Sequence, residues 1–218
     1  MTILEKQRPA LARLAATWPN GLWVGGLALT ALPLALFGTS PALAHHVADL
    51  GRLQPTVLNG ILSGLAHPFL GPDHLLFLLA LSLVGLQRRL RWSVGLLLVG
   101  LAGSAAGLLW SGLPGAETLV AATLVVEALV FMGRLPALLL LPAMALHGYV
   151  LSEPVFGWTT MPVAASGLGL FISQASLLAV SLMLLRPLAS RLSTKGLRWI
   201  AIALIACGAT WALASLAA

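Results

Sequence analysis

Seven ionisable side chains of this 218-residue sequence lie in, or at the ends of, long apolar segments. Ionisable groups retained in such surroundings are expensive and usually functional. Imidazole nitrogen combined with carboxylate oxygen suits nickel, cobalt and zinc, whereas an all-oxygen set suits magnesium or calcium. The residue types therefore predict a site for a borderline divalent transition-metal ion. The seven candidates form two short groups and two single carboxylates: His67, Asp73 and His74; His147 and Glu153; Glu117; and Glu127.

The spacing of the second group limits how it can act. Six residues correspond to about 9 Å of helix and about 120° around a regular helix axis. His147 and Glu153 can therefore face one ion only if the helix unwinds near Gly148 or ends before Glu153, and the run Ser152-Glu153-Pro154 favours an ending. The single cysteine of the chain, Cys207, excludes both an intrachain disulfide and a thiolate cluster.

A purely structural interpretation of these residues stays open. The histidines can satisfy buried backbone carbonyls, Asp73 is well placed to cap a helix beginning at His74, and Glu153 can be a loop residue. Three histidines inside a bilayer favour metal ligation over this alternative. Glu117 can simply start a helix near the membrane surface, whereas Glu127 lies deep in an apolar run and needs a histidine, a proton or an ion as partner.

Composition places these residues in a membrane protein. The sequence is 59% hydrophobic and 8% charged, with a mean hydropathy of +0.99, whereas soluble domains are about a quarter charged. The formal charge of +6 comes from short basic clusters between apolar runs, as in cytoplasmic loops, so nucleic-acid binding is excluded. The lipid bilayer is the predicted partner.

The first 44 residues have the pattern of a secretory signal peptide: basic residues, an apolar run over 21–37, and Pro41-Ala42-Leu43-Ala44 as the cleavage site. The alternative is an uncleaved first helix. Cleavage would expose His45 and His46 beside a new α-amine, which together are a good chelator for nickel or copper. Chance placement of the two histidines after the cleavage site is an equally open interpretation. Residues 45–218 then form a single transmembrane domain with a periplasmic N-terminus.

The remaining chain predicts an all-α polytopic bundle of about six or seven helices in a bacterial inner membrane. Arginine-rich connections alternate with connections that hold Glu117 and Glu153, so the former should be cytoplasmic and the latter periplasmic. A glycine pair, Gly103 and Gly107, predicts close packing of one helix against a neighbour in the same chain or in a homo-oligomer. The apolar segments lie near 53–66, 74–87, 92–112, 116–132, 135–151, 163–185 and 197–217.

This alternation requires residues 53–87 to cross the membrane only once. We therefore predict a first helix that is re-entrant or broken at residues 67–73, where two prolines and a glycine interrupt it. Irregular backbone at membrane depth is tolerated where it lines a cavity, and transporters use such breaks to hold ions.

Both motifs resemble those of the HupE/UreJ family of nickel and cobalt permeases. The run from His67 to His74 is similar to the family's H-P-x-x-G-x-D-H segment, and the run from His147 to Glu153 is similar to its H-G-x-x-x-x-E segment. The resemblance implies secondary import of nickel or cobalt as the transported ion, with no enzymatic activity and no cofactor. It implies that the site residues are His67, Asp73, His74, His147 and Glu153.

Two other functions stay open. A membrane-embedded metal hydrolase would use three histidines to activate water, but such enzymes typically carry a late H-x-x-x-H pair and no histidine follows His147. A metal sensor or accessory subunit would bind the ion without flux. The absence of a G-x-x-x-x-G-K-[ST] pattern indicates that ATP is not the driving force.

Overall fold

A computed structural model of the chain describes residues 54–84 and 90–217, and all of its regular elements are helical. The leader, His45, His46, Arg88 and Arg89 lie outside these residues. Short 3₁₀ turns at Ala137–Leu139 and Glu153–Val155 and a π-helical turn at Ser181–Leu185 complete the described elements. The α-helices are α1 (Val57–Leu70), α2 (Pro72–Val84), α3 (Leu90–Leu109), α4 (Ala116–Phe131), α5 (Leu140–Val150), α6 (Thr160–Val180), α7 (Arg186–Arg191) and α8 (Thr194–Ala217).

The all-helical architecture predicted from the sequence is confirmed for the described residues, whereas the count of about six or seven membrane helices stays a prediction. Four stretches of the described residues are long and apolar enough to cross a membrane, and the bent pair α1–α2 makes a fifth if it counts as one span. With 16 residues, α4 is too short to be among them. The four stretches are Arg91–Leu109, Ala137–Val155, Thr160–Arg191 and Thr194–Ala217.

The predicted break in the first span is present, and it is narrower than the sequence indicated. Gly71 alone separates α1 from α2, and the two helix axes are bent by 80°. The proline ring of Pro72 disfavours helical geometry in the residue before it, and Gly71 is accordingly extended at φ −89° and ψ 111°. Pro72 itself starts α2, where its missing N–H has no helical partner to lose. Pro68 lies inside the last turn of α1 and does not end it.

Helices pack in pairs: α1 on α6, α3 on α5, and α4 on α8, with α2 contacting α1, α4 and α6. Glycines allow the first two pairs to approach backbone to backbone. A Cβ atom on Gly103 or Gly148 would collide with the main chain of Ala145 or Gly100 respectively. The glycine motif of α3 therefore packs against α5 of the same chain. Of the two arrangements that the His147–Glu153 spacing allowed, the structure has the favoured one, because α5 continues through Gly148 and ends at Val150, before Glu153.

The described helices place opposite charges at opposite ends of the bundle. Consecutive helices joined by short connections run antiparallel, so the starts of α3, α5 and α8 share one end. Arg91, Arg134, Arg191 and Lys195 are exposed there. Glu117, Glu153 and Ser215 line one cavity at the other end. The arginine-rich connections of the sequence therefore lie at one end of the bundle, and the connections that hold Glu117 and Glu153 lie at the other end.

Candidate metal centre

The two sequence motifs meet at a pair of buried histidines. His74 lies in the first turn of α2 and His147 in the last turn of α5, and both are essentially inaccessible to solvent, at 0% and 1%. Their Nδ1 atoms lie 2.6 Å apart, which is hydrogen-bonding distance. Since imidazole nitrogens are good ligands for divalent transition metals, the pair is the centre of the candidate site.

A threonine on a third helix determines which ring nitrogens carry protons. Thr123 Oγ1 lies 2.6 Å from the carbonyl oxygen of Val120 and 2.7 Å from His147 Nε2. Because a carbonyl only accepts, the single hydroxyl proton of Thr123 goes to Val120 and His147 Nε2–H donates to Oγ1. A neutral His147 then has its lone pair on Nδ1 and accepts from His74 Nδ1–H, which leaves the lone pair of His74 on Nε2.

An aromatic ring fixes the plane of His147. Phe77, one turn after His74 on α2, stacks on the imidazole with ring centroids 4.0 Å apart and an interplanar angle of 19°. Phe77 is fully buried. His147 is therefore held on one face by Phe77, at Nδ1 by His74 and at Nε2 by Thr123, so its orientation is defined by three side chains from two other helices.

Glu127 lies one helical turn beyond Thr123 on α4, on the same face of that helix. Its side chain is 0% exposed, and neither carboxylate oxygen has a hydrogen-bond partner among the described residues. A buried carboxylate without donors is costly unless it holds a proton or meets a cation. The sequence analysis predicted that Glu127 needs a histidine, a proton or an ion as partner, and its burial in the structure agrees with that need.

His67 and Asp73 flank the break at Gly71, and both are buried. His67, in the last turn of α1, is 4% exposed, and its ring centroid lies 6.2 Å from that of His74. Asp73 is fully buried, and its Oδ1 accepts the backbone N–H of His74 at 2.9 Å. Asp73 therefore satisfies a backbone donor in the first turn of α2, but it lies inside this helix and is not its N-cap, because α2 begins at Pro72 and not at His74.

Glu153 lies apart from His147. α5 ends at Val150, before Glu153, as the spacing argument required, but Glu153 is exposed in the following 3₁₀ turn. It lines a cavity of about 380 Å³ together with Glu117 and Tyr149. The hydroxyl of Tyr149 accepts the backbone N–H of Leu113, which ties the α3–α4 connection to the end of α5. The second motif therefore contributes to two places, with His147 in the buried centre and Glu153 at the outer cavity.

Within residues 54–84 and 90–217, no three His, Cys, Asp or Glu side chains are close enough to enclose a metal ion. The geometry of the pair explains this, since the two Nδ1 atoms point at each other. For both to face one ion, the His74–His147 hydrogen bond has to open. The candidates that could then surround it are His67, Asp73, His74, Glu127 and His147.

Thr123 and Phe77 were not predicted as site residues. A threonine in an apolar helix and a phenylalanine in a leucine-rich run have no distinguishing local signal. A retrospective signal exists for both, because Phe77 follows His74 by three residues and Thr123 precedes Glu127 by four, so each shares a helical face with a candidate ligand.

A family model, HupE / UreJ protein, matches residues 32–211 of the chain. The chain belongs to the HupE/UreJ family. The match covers both motifs and every helix from α1 to α7, which confirms the resemblance stated from the two motifs. Searches of the curated proteins and of the solved structures gave no match. The HupE/UreJ family is associated with nickel and cobalt transport rather than with enzymes.

Proposed function

We propose that this HupE/UreJ protein is a secondary transporter that imports nickel or cobalt through the centre formed by His74 and His147. The observation that carries the proposal is the contact between these two imidazoles, because it joins the two motifs of the family in one buried place. Membership of a family associated with nickel and cobalt transport supports the choice of ion.

The outer cavity is the proposed entrance. Glu117 and Glu153 line it, and two carboxylates at a concave mouth raise the local concentration of a cation. If the leader is cleaved, His45 and His46 add a chelating N-terminus on the same side. The end of the bundle with Arg91, Arg134 and Arg191 then faces the cytoplasm, and the protein spans the inner membrane as a single domain.

The ion exchanges its water for protein ligands in the centre. Opening the His74–His147 hydrogen bond and shifting the proton of His74 from Nδ1 to Nε2 exposes two imidazole lone pairs. Asp73, His67 and Glu127 supply the remaining donors. A movement of α2 against α5 about the break at Gly71 then opens the centre inward, which is the kind of motion that discontinuous helices permit.

The membrane potential is a sufficient driving force. Two positive charges moving inward gain about 4.6 kcal/mol per 100 mV. Since each 1.4 kcal/mol corresponds to a factor of ten, this energy supports roughly a thousandfold accumulation. Uptake that persists in de-energised vesicles without a metal gradient would contradict the proposed coupling.

The experiment is uptake of radiolabelled nickel and cobalt by cells that express the wild type, His67→Ala, Asp73→Asn or His147→Ala at matched membrane levels. We expect the wild type to accumulate one or both ions and each variant to lose most of this uptake. No accumulation by a folded wild type would refute transport. Binding without flux would then indicate a metal sensor or accessory subunit, and hydrolysis of a membrane substrate would indicate the metal hydrolase.

A further inference from the structure

Two adjacent buried polar side chains of α6, Ser173 and Gln174, belong to neither sequence motif. Gln174, in the middle of α6, is 1% exposed, and neither Oε1 nor Nε2 of its amide has a hydrogen-bond partner in the described part of the chain. The hydroxyl of the preceding Ser173 is likewise buried without such a partner. Burying an amide without a hydrogen-bond partner lowers the stability of the fold. A polar group kept at this cost needs an occupant that the side chains around it do not supply.

The side chain of Met144 lies near the Gln174 amide. A Cβ atom on Gly100 would be 3.5 Å from Gln174 Oε1, 3.5 Å from Met144 Cγ and 2.7 Å from Met144 Cε. The thioether sulfur is bonded to both of these carbons, so the Met144 side chain already fills the position of such a Cβ atom, beside the Gln174 amide oxygen. Met144 is fully buried. The thioether and the amide oxygen therefore both pack against Gly100, and we call this part of the interior the Met144–Gln174 region.

The Met144–Gln174 region adjoins the histidine centre on its arginine-rich side. Met144 precedes His147 by three residues, about one helical turn or 4.5 Å along α5. Gly100 also touches the main chain of Gly148, the residue after His147. Along the bundle the order is the outer cavity, the His74–His147 pair, the Met144–Gln174 region and the arginine-rich end.

We propose that Met144 and Gln174 form an inner station that takes the divalent transition-metal ion from the histidine centre, a proposal that rests on the proposed transport function. Both donors are neutral, so they bind the ion more weakly than imidazole with carboxylate does. Conduction needs sites that bind well enough to be entered and weakly enough to be left. A thioether also favours borderline and soft ions over magnesium, so the station adds selectivity at the inner side.

The test measures initial uptake rates of radiolabelled nickel and cobalt, with and without excess magnesium, at matched membrane levels. The variants are Met144→Leu, which keeps the shape and removes the sulfur, Gln174→Leu, which removes the amide, and Gln174→Glu, which keeps an oxygen and adds charge. Met183→Leu and Ser176→Ala, at exposed positions of the same long helical stretch, are the matched controls. Thermal unfolding of each purified variant in detergent identifies any loss of fold.

We expect Met144→Leu and Gln174→Leu to lower the maximal rate by about tenfold, the lower end of what lost metal-site contacts cost, and Met144→Leu to increase inhibition by magnesium. Gln174→Glu should hold the ion longer, lowering both the half-saturating concentration and the maximal rate. The controls should match the wild type.

The outcomes separate this proposal from the transport function. If the wild type transports and Met144→Leu keeps both its rate and its resistance to magnesium, the station is refuted and the transport function stands. A reduced rate with unchanged ion preference in a stably folded Met144→Leu also refutes it, because packing alone would explain that result. No uptake by the wild type would remove the transport function and the station together.

Discussion

Replacing Thr123 by valine tests whether this hydroxyl orients the histidine pair. Valine has nearly the shape of threonine, so packing around α4 is kept while the acceptor of His147 Nε2–H is removed. An unpaired buried donor costs about 1–3 kcal/mol in proteins generally, and interhelical hydrogen bonds in membranes average about 0.6 and reach about 1.7 kcal/mol. A value near 1 kcal/mol changes the ratio of the two His147 tautomers by roughly fivefold.

We expect Thr123→Val to lower nickel or cobalt uptake about five- to tenfold, with membrane levels unchanged. Thr123→Ser is the control, since it keeps the hydroxyl and should retain most of the uptake. Initial rates in intact cells and thermal unfolding in detergent give the two readouts. Wild-type uptake by Thr123→Val would refute the tautomer argument, and equal losses in both variants would point to packing instead.

Three further predictions follow from burial and packing. Glu127→Gln should abolish most uptake while leaving thermal stability equal or higher, because it removes a buried acid that has no hydrogen-bond partner among the described residues; a stable variant with normal uptake would exclude Glu127 from the path. Gly103→Val should lower the free energy of unfolding in detergent by about 1–3 kcal/mol, because the added side chain meets the backbone of Ala145. Gly95→Val is the control and should be tolerated, because no atom lies within 4 Å of the added Cβ. Glu117→Gln combined with Glu153→Gln should raise the half-saturating metal concentration several-fold, most at low ionic strength; an unchanged concentration would mean that the outer cavity does not capture the ion.

The break in the first span was predictable because its cause is local. Pro72 constrains Gly71 directly, so the sequence alone gives an interruption at this place. The predicted break was too long because the same rule, that a proline interrupts a helix, was also applied to Pro68. The fold retains Pro68 within the last turn of α1, where it is buried, which local rules do not foresee.

The pairing of His74 with His147 could not be derived from spacing. The residues are 73 positions apart, and their contact depends on how α2 and α5 meet. The sequence indicated that both are costly inside a membrane and therefore functional, which is a statement about each residue alone. The same limit applies to Glu153, whose separation from the pair follows from the 3₁₀ turn after α5 and not from its distance along the chain.

The charges of the centre favour a divalent ion over a monovalent one. Two neutral imidazoles contribute no charge, and Asp73 with Glu127, when both are ionised, contributes −2. An ion of +2 then leaves no net charge inside the bundle, whereas burying an uncompensated charge costs several kcal/mol. Met144 and Gln174 are neutral, so they add no counter-charge of their own as the ion moves toward them. The barrier to inward release should therefore lie at this step, where the membrane potential assists the movement of charge.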